Sequence, residues 1–163
     1  MNLERWILIG ITLLCILGIW KLVPRERTRE AWVLFLSMQI ITWPSGLIVV
    51  ENNWIEYPVQ LLPKSNYYNK ASFIFEFFLL PVISIIFSLH HPNTNKKGTL
   101  SYYLCISSFL TGCEVILERT TDLVEYHQWK WYWTLITLIA SLYVNDKYYR
   151  WFTKKMGKVE ENE

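Results

Sequence analysis

The chain has 163 residues, of which 52% are hydrophobic, 17% aromatic and only 18% charged, a balance more apolar and richer in rings than that of ordinary globular domains. Its net charge of +2 rests on basic residues dispersed among segment flanks, which excludes the aligned basic face of a nucleic-acid-binding protein. The apolar residues form long blocks without the charged face that a soluble helix shows every three or four positions. That pattern predicts a single all-α unit, a polytopic membrane helical bundle with five transmembrane helices, four being the alternative.

The first span is expected over 3–23. It has the length of a signal peptide, but Lys21, Arg25, Arg27 and Arg29 follow with no small-residue cleavage site and further apolar runs come after, so an uncleaved span is predicted. Spans over 30–50, 70–90 and 99–118 come next, each near the ~20 residues that cross ~30 Å of hydrocarbon as a helix. Between the second and third lies 51–69, a segment with Trp54, Tyr57, Pro58, Pro63, Tyr67 and Tyr68. It is too apolar for a free linker and is expected at the outer interface, its prolines shaping turns or a short interfacial helix. His90 to Gly98 reads as a polar connector.

The fifth span is expected over 130–147; its uncharged run, Trp131 to Val144, has a length that also suits a buried or interfacial helix, yet its flanks support a span. Trp129, Trp131, Tyr132 and Trp133 lie at one end and Tyr143, Tyr148, Tyr149 and Trp151 at the other, as in the two aromatic belts that bracket a transmembrane helix. Residues 148–163 then form a basic cytoplasmic tail, its acidic end from Val159 onward frayed.

Lysine and arginine set the orientation. Lys21, Arg25, Arg27, Arg29, Lys96, Lys97, Lys147, Arg150, Lys154, Lys155 and Lys158 fall on one side of a five-span bundle; Arg5, Lys64, Lys70, Arg119 and Lys130 fall on the other. Positive residues mark the cytoplasm, so the amino terminus is outside, and a four-span chain would leave the basic tail outside as well.

Two carboxylates stand out within the apolar runs, Glu76 and Glu114. A charged side chain at the centre of a membrane helix costs roughly 2.5–3.5 kcal/mol on insertion scales, so such a residue points to a site. Glu76 lies about 7–8 Å inside its span at ~1.5 Å per residue, and Glu114 lies at a similar depth near the outer end of the fourth. Glu114, Glu118, Asp122 and Glu125 follow at spacings of four, four and three, which makes an acidic stripe if the helix continues past Leu117.

Glu76, Glu114, Glu118 and Arg119 are the candidate intramembrane polar or ion site, with Glu51, Tyr57, Asp122 and Tyr126 as an outer network. One reading is a cation or proton site; the other is a structural network in which Arg119, Lys64, Lys70, Lys130 and hydroxyl groups satisfy the acids. Pro44 and Pro81 each remove a backbone donor, freeing the carbonyls of Ile40 and Phe77. His90, His91 and His127 are too scattered for a triad or a metal centre, Cys15, Cys105 and Cys113 have no metal or redox spacing, and no phosphate loop or nucleophile motif occurs. Neither an enzyme nor a cofactor is expected. The expected partners are the lipid bilayer and another membrane protein or a second copy of this chain.

Trp43-Pro44 through Glu56-Tyr57-Pro58-Val59, the run Phe73 to Pro81, and Glu114 through Thr120-Thr121-Asp122-Leu123 to Tyr126, Trp129 and Trp131-Tyr132-Trp133-Thr134 together resemble a family of small uncharacterised multispanning integral membrane proteins of Gram-positive spore-forming bacteria. The resemblance covers most of the chain from the second span onward and implies a bacterial cell-membrane setting without an established activity. A basic residue commonly follows the Tyr-Pro-Val element in that family; here the position is Gln60.

Overall fold

The computed structural model describes residues 3–64, 71–92 and 96–160 and is mostly helical. Helix α1 covers Leu3–Leu22; a single 3-10 turn, Arg25–Arg27, leads into α2, Thr28–Glu51. After the short strand β1, Ile55–Glu56, a π-helix over Phe73–Leu79 runs directly into α3, Leu80–Leu89. Helix α4, Lys96–Thr120, is followed by β2, Glu125–Tyr126, and by α5, Trp131–Glu160. The strands pair antiparallel, with Ile55 opposite Tyr126 and Glu56 opposite Glu125.

Successive helices run up and down, and the strand pair caps one end of the bundle. There Leu8 of α1, Ile55, Ile74 of the π-helix, Leu123 and Val124 form a buried cluster. Met38, Phe87, Tyr103 and Leu142 join α2, α3, α4 and α5 further along, and Ala31, Leu34, Ile85, Leu89 and Tyr149 close the opposite end. Among the described residues, Leu3–Leu22, Arg25–Glu51 and Lys97–Thr120 are long and apolar enough to cross a membrane, and Phe73–Leu89 is a shorter apolar helix.

Small polar residues occupy the helix contacts. Thr42, Ser84, Ser107 and Thr111 are buried, and small side chains of this kind let helices approach closely. Asn145 is completely buried and ties three helices together: its Oδ1 accepts from Ser37 Oγ at 2.5 Å, and its Nδ2 donates to Ser84 Oγ at 2.5 Å and to the Leu34 carbonyl at 3.2 Å. At the end away from the strands, Arg27 Nη2 meets Glu30 at 2.7 Å, Arg27 Nη1 donates to the Leu89 carbonyl at 3.1 Å, and the Tyr149 hydroxyl donates to Glu30.

Two elements depart from the sequence reading. Where a tail was expected from residue 148, α5 continues as helix to Glu160. The continuation is anchored, because Tyr149 packs on Ala31 and Leu34 and Arg150 Nε pairs with Asp146 at 2.8 Å one turn away. In the 51–69 segment the chain leaves α2 through Asn53, at φ 53°, a left-handed conformation that asparagine tolerates better than most residues. It then enters β1, while Tyr67, Tyr68 and Lys70 lie outside the described residues.

Candidate functional site

The π-helix is the local feature from which the site is built. Ser72 caps it, its hydroxyl accepting from the Phe75 N–H at 3.3 Å, and the Leu80 N–H reaches five residues back to the Phe75 carbonyl. One residue later Pro81 has no N–H to give, so the carbonyls one turn back, Glu76 and Phe77, lose that donor. Helix α2 supplies two replacements: Thr42 Oγ1 donates to the Glu76 carbonyl at 2.7 Å and Gln39 Nε2 to the Phe77 carbonyl at 3.0 Å. The carbonyl expected to be freed at Phe77 is therefore met from the neighbouring helix. π-Helical turns of this sort are frequent at functional sites.

Glu76 is buried, at 6% exposure, and its Oε2 has no hydrogen-bond partner. The carboxyl lies directly over Gly46 of α2, where a methyl group would overlap its Cδ and both oxygens. Glycine is needed here for close approach, because any side chain would occupy the place of the carboxyl. Tyr57 bears on the same carboxyl. Burial holds the Tyr57 phenol well above its ordinary range, and the adjacent Glu76 and Glu114 reinforce the effect.

Glu114 is bound differently. Its Oε1 accepts from the Tyr126 hydroxyl and, at 2.8 Å, from Thr134 Oγ1, while Trp129 Nε1 donates to that same threonine oxygen at 2.8 Å. The strand pair places Tyr126 and the first turn of α5 places Thr134. Trp129 is held by stacking on Trp54 at 6.1 Å, and the Trp54 carbonyl accepts from the Trp129 N–H at 3.2 Å. Burial raises the pKa of the Tyr126 phenol, with the Glu114 charge adding to the shift.

Both glutamates line one cavity of about 530 Å³ between the helices near the strand end. Its walls are chiefly isoleucine, leucine, valine and phenylalanine from α1 through α5, with Thr42, Ser45, Tyr57, Thr134, Thr137 and Ser141 as the hydroxyl groups, and among the described residues no lysine or arginine contributes.

The other residues singled out from sequence are more dispersed. Glu118 is half-buried, while Arg119, Glu51 and Asp122 are exposed; the Asp122 carbonyl accepts from the Val59 N–H at 3.3 Å. Among the described residues no ion pair joins Arg119, Lys64 or Lys130 to either buried glutamate, and Lys70 lies outside them. The acidic stripe is shorter than the spacing suggested: α4 ends at Thr120, so Asp122 lies in the following turn and Glu125 on β2.

Sequence reasoning passed over Gly46 and Thr134, and took Thr42 as one of several polar side chains suited to helix-to-helix hydrogen bonds. A usable signal existed for Gly46, the one glycine in α2. Thr42 and Thr134 looked like any other hydroxyl in an apolar run. Among the described residues no three His, Cys, Asp or Glu side chains converge as a metal centre. No protein-family model, curated protein or solved structure matches the chain.

Proposed function

We propose that this chain is a noncatalytic multi-pass protein of the bacterial cell membrane, of the kind its sequence resembles, serving as a sensing or accessory component that responds to a ligand in the carboxylate-lined cavity. Its five helices cross the bilayer with the amino terminus outside and the end of α5 in the cytoplasm. The observation that carries the reading is Glu76, a buried carboxyl on the cavity wall whose Oε2 has no hydrogen-bond partner among the described residues. Buried charges are ordinarily paired, so a carboxyl left with an unmet oxygen beside an open space suits a ligand. The setting is supported by large apolar side chains left on the helix surfaces, among them Trp20, Ile40 and Ile116 at 79%, 75% and 62% exposure, a surface that water does not favour.

A second reading, a small proton- or cation-coupled transport or channel component using Glu76 and Glu114, is favoured by the lack of a basic side chain on the cavity wall among the described residues. Reporter fusions after Lys97 and at the carboxyl terminus test the orientation, both being expected to report cytoplasm; an external signal from either sinks it. Glu76→Gln and Glu114→Gln in reconstituted vesicles separate the two functions. Loss of a pH- or ion-dependent flux at unchanged stability selects transport, whereas altered stability with no flux to lose selects the sensing component.

A further inference from the structure

We propose that the cavity binds a monovalent organic cation with an apolar body, its charged centre seated against the Glu76 carboxyl. This deepens the reading of the cavity as a ligand site and rests on it. At about 530 Å³ the space lies within the roughly 300–1,000 Å³ of small-molecule sites. The charge of the ligand follows from the wall: among the described residues two carboxylates and six hydroxyl-bearing side chains line the space, and no lysine or arginine does. An anion would find no described side chain to neutralise it there.

The apolar body follows from the same wall. A bare metal ion exchanges its hydration shell for several oxygen ligands, about six for the common hard cations, and the described residues bring no three metal-ligating side chains together. An organic ammonium or phosphonium carries its charge on a body that isoleucine, leucine and valine side chains bury favourably. Tyr57, Phe75 and Trp129 also line the space and add aromatic surface to bury the body of the ligand.

The two carboxylates divide the work. Glu114 Oε1 already accepts from Tyr126 and Thr134, so neutral donors meet it. Glu76 Oε2 has no partner and is 6% exposed as a residue, and Gly46 leaves the carboxyl its place on the wall. One positive charge at Glu76 therefore completes the site without leaving a second charge unmet.

The test uses the full chain in lipid nanodiscs, with binding of tetraphenylphosphonium measured by calorimetry against empty nanodiscs and with tetraphenylborate as an anion of the same shape. Saturable binding of the phosphonium at one site, and none of the borate, is the expected result. Glu76→Gln should weaken it by about tenfold or more, as loss of a charged partner implies, and Glu114→Gln by clearly less. Leu110→Trp, which projects bulk into the cavity while leaving Glu76 in place, should also abolish binding, and it decides the matter if Glu76→Gln does not fold.

Equal binding of both ions, no saturable binding, or undiminished binding in the variants overturns the proposal. The reporter fusions read independently: cytoplasmic signals together with absent phosphonium binding remove the cation and leave the membrane reading standing.

Discussion

Replacing Gly46 with alanine isolates the contact on which the site is built. In a helix interior that change ordinarily stabilises by about 0.8–1 kcal/mol, since glycine is the poorer helix former. Here the added methyl overlaps the Glu76 carboxyl, and because the π-helix presses that side chain against α2, the carboxyl must swing or α2 must shift. Overpacking of this kind costs about 1–3 kcal/mol. The expected net change is therefore a loss of up to about 2 kcal/mol. In a Glu76→Ala background the obstacle is gone, and the same substitution should stabilise by the helix-propensity amount. Equilibrium unfolding of the four proteins of this cycle in one detergent measures both differences. A Gly46→Ala effect of the same sign and size in the two backgrounds would refute the reasoning, because the overlap with Glu76 would then not be what the glycine avoids.

Three further outcomes are expected. Asn145→Ala removes three bonds among α2, α3 and α5; at about 0.6 kcal/mol for each side-chain bond between membrane helices, unfolding should shift by about 2 kcal/mol, and a change below about 0.5 contradicts the role assigned. Gln39→Leu leaves the Phe77 carbonyl without its donor, at about 1–3 kcal/mol for a buried unsatisfied acceptor; hydrogen exchange should rise in the π-helix, and unaltered protection there argues against the bridge. The third is alkaline. Tyr126 has a folded pKa raised above 10.0, so the unfolded chain releases its phenolic proton first and stability declines as pH rises past that value. Tyr126→Phe should give a shallower decline, measured by unfolding in a pH series, and an unchanged slope would tell against the burial of that phenol beside Glu114.

The helical segments and the two unusual glutamates were legible in the sequence because they depend on local composition. Apolar blocks of span length mark helices wherever they lie, and Glu76 and Glu114 stand out by interrupting such blocks. Pro81 likewise announced a lost backbone bond at Phe77, a matter of covalent chemistry alone. The end of the fifth helix was not legible, because the anchors that extend it, Tyr149 on Ala31 and Leu34 and the Arg150 pair with Asp146, include contacts far apart in the chain. Asn145 looked like an ordinary polar residue at a span boundary, and only the convergence of α2 and α3 upon it shows its function in the packing.

Sequence by itself determined which segments turn into helices, where charge interrupts them and which flanks are basic, since each is a property of neighbouring residues. Tertiary structure alone decided what those charges meet. Arg119, Lys64 and Lys130 stay on the surface and hydroxyls reach Glu114 instead, because the strand pairing of Ile55 with Tyr126 and the first turn of α5 deliver Tyr126 and Thr134 to that side. Gly46, unremarkable in a list of residues, defines the position of Glu76 because two helices pass there at a distance that admits a carboxyl group and nothing more.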